Sequence, residues 1–492
     1  MLYVGVAILV LGFVVLLKAF GLVDKANRTI ACSKESVDII RNPGLGDDDK
    51  EKALQANSKQ LFLLFFQLTL GCAAALLLPA AVVWGLDKAG LMSFDEVVAF
   101  TLSWEFLLGT TLLIVVLFYV MRKNKSDHDY EIRYSLFDRA LHHIAFKAVI
   151  PQLSLADMED SMFKDELAKA ENKSPVFITG LPRGGTTLVL DMCFSLKEFA
   201  AHRYRDMPFL LVPMLWDKFS HKFQKGDEKR ERAHGDGMMV SVDSPEALEE
   251  MVWKPFWKKQ YGKDRIFPWG TKSDSAFDEF FDKHMQKIIA LRQKATGAHC
   301  RYVSKNNLNI SRVDYLTKTF PEAKVIIPYM HPLVQAQSLL KQHRNFLGIH
   351  KDDPFASTYM EGVGHYDFGD NIRPIDFNGW FDNRQFKDFN TMNFWIEYWT
   401  VAYGQLLSKA GGNVYLHSHE ALCQDTENVL AKLADILDVD DREGFMKNEA
   451  MIWKTPPPEV STEGIDPELL KRAEGLYKRL RANSLVPEDY PS

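Results

Sequence analysis

Residues 61–85 run without a single charged side chain, and no other stretch limits so sharply what this chain can become. About 20 apolar residues cross the hydrocarbon core of a bilayer as a helix, so this run predicts a membrane span. Two further stretches share the character. Residues 1–23 are interrupted only by Lys18, whose ammonium reaches the headgroups from near the end of a span, and residues 97–121 carry only Glu105. The first stretch has no basic leader and no small-x-small cleavage site, which argues against a signal peptide. Glu105 is read as a carboxylate that reaches water at the outer interface rather than as part of an ion path.

Lysine and arginine in the flanks set the expected orientation. The loop 24–60 holds Lys25, Arg28, Lys34, Arg41, Lys50, Lys52 and Lys59, whereas the turn before the third span holds Lys88 alone. Arg122, Lys123 and Lys125 follow that span directly. A membrane domain over 1–125 therefore places the N-terminus outside and everything after 125 in the cytoplasm, with the lipid bilayer as first partner.

A net charge of −6 gives no basic signature, so nucleic acid is not an expected partner. Cys32, Cys72, Cys193, Cys300 and Cys423 are scattered without a C-x-x-C pair. That fits a reducing compartment and neither a disulfide framework nor a metal cluster. His417, His419 and Glu420 have a superficial metal pattern but no third distant ligand at matching spacing, so no metal is expected.

Residues 126–172 form a linker in which Tyr130, Ile132, Leu136, Leu141, Ile144, Ala145 and Val149 recur at helical spacing. It reads either as an amphipathic helix on the membrane surface or as one packing on the next domain, with His142 and His143 as packing residues. Residues 173–445 alternate apolar runs with helical patterns, which predicts an α/β domain with a mainly parallel sheet flanked by helices. The end, 446–492, has a Pro-rich linker and a helix starting at Asp466 and Pro467, whose Arg481 and neighbours read as a solvated basic face.

Residues 175–192 carry the chemistry. Val176 to Thr179 read as a short strand, 180–185 as a Gly-rich turn, and a helix follows from Thr186. Glycines let successive N–H groups point inward, and the helix adds its positive end, so the segment is a phosphate cradle. Against the nucleoside-triphosphate loop G-x-x-x-x-G-K-[ST], Gly180, Gly185 and Thr187 fit, but Thr186 stands where lysine belongs. The cation has moved to Arg183. This argues against an ATPase, GTPase or nucleotide kinase.

Gly180-Leu181-Pro182-Arg183-Gly184-Gly185-Thr186-Thr187-Leu188 resembles the 5′-phosphosulfate loop of the sulfotransferases that use 3′-phosphoadenosine 5′-phosphosulfate (PAPS), in the Pro-Arg form of their tyrosylprotein and bacterial branches. The resemblance continues in order through 204–210, 232–237, 243–250, 303–307, 320–327 and 420–422. It implies transfer of a sulfuryl group from PAPS to a hydroxyl or amine. Arg183, Gly184, Gly185, Thr186 and Thr187 would bind the cofactor, with Lys305 approaching its sulfate and Ser338 its 3′-phosphate. The family's 3′-phosphate landmark is Arg-Asp-Pro with Ser six residues later. Here Met330-His331-Pro332 precedes Ser338, so a thioether stands in the arginine's place. His331, Lys341, His343 or Arg344 are the alternative sources of positive charge.

Asp206 is the first choice for the base that takes the acceptor's proton, with His202, His234 and Glu246 behind it. The competing reading of Asp206 is a surface pair with Arg205. Asp236, between two glycines, reads as a turn residue. Trp253, Phe256 and Trp257 read as core, or as walls of an acceptor pocket. Membrane tethering suggests an acceptor that is a lipid or another membrane-held molecule. The alternative to an enzyme is a non-catalytic membrane scaffold that keeps the fold.

Overall fold

The structure, a computed structural model, describes residues 2–22, 25, 28–29, 32, 39, 47–101, 103, 106, 139, 142, 145–220, 230–231, 239–241, 243–452 and 459–487. The chain divides into two compact units, 1–133 and 134–492.

The first unit contains α1 (Leu2–Ala19), α2 (Asp47–Lys88) and α3 (Phe94–Thr101). Within α2 the segment Asn57–Lys88 contains an 18-residue window of mean hydropathy 2.3, of which only 11% is buried. Phe62, Leu63, Phe65, Leu70, Leu77 and Trp84 all point outward, the reverse of a core helix. Among the described residues this is the one helix long and apolar enough to cross a membrane, by length and composition. Three were expected, and one is seen among the described residues. α1 contributes a shorter apolar stretch, Val4–Phe13, and most of the third expected span, Glu105 included, lies outside the described residues.

The second unit is built on a five-stranded sheet in the order β2-β5-β1-β6-β7. Its strands are β1 (Val176–Ile178), β2 (Phe199–Ala200), β5 (Arg301–Lys305), β6 (Lys324–Tyr329) and β7 (Val414–Ser418), while β3 (Arg230–Glu231) and β4 (Met239–Val240) form a separate ribbon. Every pairing in the main sheet is parallel, with Val176 in register with Val303 on one side and Lys324 on the other. Parallel strands are covered on both faces and so read as continuous apolar runs. Phe177, Tyr302, Val325 and Ile327 face one buried cluster, and Val176, Ile178, Val303 and Ile326 face the other. This is the α/β architecture the sequence predicts.

The flanking helices include α4 (Val149–Met162), α5 (Thr186–Phe194), α6 (Glu250–Trp253), α7 (Ser275–Thr296), α8 (Pro332–Asp352), α9 (Pro354–Val363), α10 (Met392–Leu407), α11 (His419–Gln424), α12 (Thr426–Leu437) and α13 (Pro467–Ala482). From the central pair, β1 leads the chain outward to β2 and β6 leads it the opposite way to β7. The adjoining ends of β1 and β6 are therefore a topological switch point, where open α/β sheets bind their ligands.

Two helices depart from their sequence reading. α13 starts as expected, with Asp466 accepting from Leu469 N–H at 2.8 Å, but Leu469, Ala473, Leu476 and Leu480 join the core on one face of the sheet. Arg481, read as solvated, is 3% exposed. α4 is inverted. It buries Gln152 and Glu159 and exposes Ile150, Leu155, Met158 and Met162. Glu159 is held inside by Lys287 Nζ at 2.9 Å and by Leu215 N–H at 2.6 Å. The rest of the expected amphipathic segment, His143 included, and the linker 453–458 lie mostly outside the described residues.

Candidate active site

The turn after β1 is folded by close approaches that exclude side chains. A Cβ on Gly184 would stand 2.9 Å from Gln335 Nε2 and 3.0 Å from Pro328 O. Gly185 has φ +94°, in the left-handed region. Arg183 also takes a left-handed φ of 66°, uncommon for a residue with a Cβ and costing about 1–3 kcal/mol. Its Nε donates to Ser338 Oγ at 3.0 Å. The first bond of α5 runs from Val189 N–H to Gly185 O, which leaves the amides of Thr186, Thr187 and Leu188 at the open, positive end of the helix. Arginine, glycine turn and helix end together suit a bound anion.

The switch point's other half follows β6. Gln335, fully buried, is its hub. Its Nε2 donates to Leu181 O, Pro182 O and Tyr403 Oη, and its Oε1 accepts from Met330 N–H and Trp399 Nε1. One amide thus ties the phosphate loop to β6 and α10. Sequence reading passed over it because a lone glutamine carries no motif.

The expected sources of positive charge near Met330 find other uses. Burial lowers His343 to about 4, and its Nδ1 accepts from Gly369 N–H. Burial also lowers His331, whose Nδ1 accepts from Leu333 N–H. Arg344 donates to Asn390 O at 2.7 Å, and Lys341 is exposed. The His331 ring packs at 4.8 Å on Tyr477, and the buried Arg481 donates to that tyrosine's hydroxyl. α13 therefore brings a guanidinium to this side of the sheet.

A polar cluster lies at the end of β5, next to β1. Thr179 Oγ1 donates to Asn306 O at 2.8 Å. Lys305 ends the strand, as the sequence predicts, and acts electrostatically on Glu246, His365 and Asp367. Asn307 Nδ2 donates to Asp367 Oδ2 at 3.1 Å, and His365 Nδ1 stands 3.9 Å from the same oxygen. Burial lowers His365 below the ordinary imidazole value and raises Asp367. Burial works to raise Glu246, but Lys305, His365 and the Tyr204 hydroxyl outweigh it and hold the carboxyl low. His365, Asp367, Asn306, Asn307, Gly364 and Glu250 line a small cavity. Glu250 is itself fixed by Arg312 Nη2 at 2.9 Å and Asn306 Nδ2 at 2.7 Å.

Asp206 is committed to a buried ion pair. It is 5% exposed, accepts from Arg203 N–H at 2.7 Å and pairs with Arg292 Nη2 at 2.5 Å. Arg205, its expected surface partner, instead pairs with Asp243. His202 is 1% exposed, lies 2.9 Å from the His284 ring nitrogen, and is lowered by burial to about 4. Trp253 is fully buried core. His234 and Asp236 lie outside the described residues. Among the described residues, no group of three His, Cys, Asp or Glu side chains stands together as a metal site.

The second unit is thus a parallel α/β domain whose switch point suits a bound anion. Residues 175–353 match the model of the sulfotransferase family, which supports sulfuryl transfer in general for this part of the chain. No curated protein matches. Similar solved structures include sulfotransferase STF9 of Mycobacterium avium, at 13% identity over 70% of this chain and 86% of that one, with a TM-score of 0.40. Sulfotransferase STF1 of Mycobacterium tuberculosis H37Rv is similar at 14% identity, over 65% and 81%, with a TM-score of 0.33. The sulfotransferase domain of the Synechococcus PCC 7002 olefin synthase is similar at 15%, over 66% and 98%, with a TM-score of 0.27.

Proposed function

We propose that this chain transfers a sulfuryl group from PAPS to a hydroxyl or amine of a membrane-held acceptor, lipids foremost, and that α2 attaches it to the membrane. The observation that carries the reading is Arg183, held in a strained backbone conformation at the cradle and tied to Ser338 across the switch point. Gly184 and Gly185 let the turn close against Gln335, Pro328 and His419, which sets Arg183 beside the start of α5, and that arrangement suits a phosphosulfate. The expected three-span topology, with the domain in the cytoplasm, rests on the charged flanks in the sequence.

PAPS supplies the activated sulfuryl group. The acceptor oxygen forms a bond to sulfur as the sulfur–oxygen bond to the 5′-phosphate breaks, leaving adenosine 3′,5′-bisphosphate (PAP). Negative charge then grows on the leaving phosphate. Arg183 and the amides of 186–188 are donors already in place for it, the arrangement that lowers a barrier most. Lys305 neutralises charge on the sulfuryl side. The acceptor's proton goes to the cluster around Lys305, where His365, whose imidazole burial lowers, is the first candidate base and Glu246 the second. Asp206, with its carboxylate committed to Arg292, is a structural residue in this reading.

The test is transfer of labelled sulfate from PAPS by membranes carrying the chain, with products split into lipid and aqueous phases. Lipid-phase label that vanishes with Arg183→Ala supports the reading. Aqueous label alone removes the membrane-held acceptor, and tighter binding of Mg-ATP than of PAP removes the sulfotransferase.

A further inference from the structure

Behind the polar cluster lies a second and larger cavity of about 420 Å³, within the range of ~300–1,000 Å³ typical of small-molecule sites. It sits between the N-terminal end of α4, α6 and the last turn of α9. Phe146, Val149, Ile150, Leu211, Met251 and Pro255 make its walls apolar. The charged side chains in its lining are all lysines: Lys147, Lys254 and Lys258. An apolar chamber edged only by cations selects an apolar body with an anionic head.

The two cavities share a partition. On α6, Glu250 lines the polar cavity while Met251 and the adjoining Lys254 line the apolar one. In the last turn of α9, Gly362 lines the apolar side, and just beyond the helix Gly364 and His365 line the polar side. The partition consists of side chains. Lys254 Nζ donates to Gly362 O at 3.3 Å and to Glu361 O, and Tyr261 Oη donates to Glu250. On the other flank, Ile150 is at once a wall of the cavity and 75% exposed. It begins the outward apolar row of α4 that continues through Leu155, Met158 and Met162. The chamber therefore adjoins an apolar surface on one side and the polar cluster on the other.

We propose that this cavity binds the alkyl chain of an anionic amphiphile whose head group also carries a hydroxyl, with the acidic group at Lys254 and Lys258, and that this amphiphile, through that hydroxyl, is the acceptor class. The second clause rests on the sulfotransferase reading above; the binding itself does not. Occupancy by a chain displaces the Lys254 side chain from the partition and brings the head group within reach of the His365 side.

The experiment uses membranes containing the full chain and a palmitate analogue with a mid-chain diazirine. After illumination, adducts are mapped by mass spectrometry. Adducts are expected within 145–152 and 251–261, and Met251→Trp, which fills the cavity, lowers them about tenfold while adducts within 57–88 stay unchanged as the internal reference. Lys258→Glu, at an exposed position, lowers labelling by the acid but not by the corresponding alcohol, independently of any packing defect. A phosphatidylglycerol analogue with the same chain, run in parallel, tells a free fatty acid from a lipid as the source. Adducts confined to 57–88, or labelling of 251–261 indifferent to both substitutions, overturn the proposal. Intact labelling with no sulfate transfer leaves the site standing and overturns the sulfotransferase reading instead.

Discussion

Arg183 Nε donates to Ser338 Oγ across 3.0 Å, joining the turn after β1 to the helix after β6. The sequence presents these residues as parts of two separate subsites, one for each end of the cofactor. In the folded chain they are one device: the serine holds the guanidinium that the left-handed backbone at Arg183 presents.

Removing the guanidinium is expected to be the most damaging change in the cradle. Arg183→Ala should lower PAPS-dependent transfer by about 10²–10³-fold, the usual loss for a donor facing developing charge. Arg183→Lys should recover little, because lysine has no planar fork with which to hold Ser338 and an anion together. Ser338→Ala should cost less, on the order of tenfold. Initial rates at saturating acceptor decide the order; equal activity of the Arg183→Ala protein would rule out the mechanism.

Gln335→Leu strips partners from Met330 N–H, Trp399 Nε1 and two loop carbonyls. Each orphaned buried group costs about 1–3 kcal/mol. The variant should unfold at clearly lower denaturant and bind PAP more weakly. A stability loss with unchanged PAP affinity would show that the amide supports the core without positioning the loop.

Asp206→Asn breaks a buried pair and leaves Arg292 uncompensated, a loss of about 3–5 kcal/mol. It should lower the melting temperature while the folded fraction keeps its turnover. His365→Ala should do the opposite, with a lower kcat at nearly unchanged melting temperature. If Asp206→Asn instead abolished turnover at full stability, Asp206 would be the base and the cluster around Lys305 would not.

Met330→Arg tests the position where the thioether replaces a cation. A charge-assisted hydrogen bond contributes about 1.5–3 kcal/mol, so PAP affinity measured by calorimetry should rise roughly ten- to a hundredfold. If transfer stays absent while PAP binds tightly, the chain is a scaffold that keeps the fold.

Acid should unfold the second unit early. Burial lowers His202 and His343 to about 4 and His417 to about 3, against about 6.5 in the unfolded chain. Between those values the unfolded state binds more protons, so stability falls as pH falls. It should be complete above about pH 6.5 and be lost progressively toward pH 4, on the order of 3 kcal/mol per histidine. Denaturant midpoints at a series of pH values check this; a midpoint flat from pH 7 to 4.5 would contradict neutral buried imidazoles.

The cradle was legible because everything that makes it is local: a buried strand, glycines at the tight turn and a helix starting at Thr186. The sheet was legible for the same reason, since strands covered on both faces leave unbroken apolar runs. The pairing of Asp206 was not legible because its partner Arg292 comes from α7, and Arg205, its neighbour in sequence, is turned to Asp243. His365 and Asp367 carry no spacing signal. They join the polar cluster only because the segment after α9 returns to the end of β5. Arg481 lies beside the buried row of α13, and helical periodicity does not tell the edge of a buried face from the start of a wet one.

α4 keeps its carboxylate inside, clasped by Lys287, and turns its aliphatic row outward. A domain cut free at residue 134 would carry that row into water, so detergent or lipid rather than buffer should decide whether it stays dispersed. If the chain acts on a membrane-held acceptor as proposed, that acceptor is counted by mole fraction in the surface and not by molarity. Diluting the acceptor with inert lipid should slow the reaction even when its total amount in the tube is unchanged.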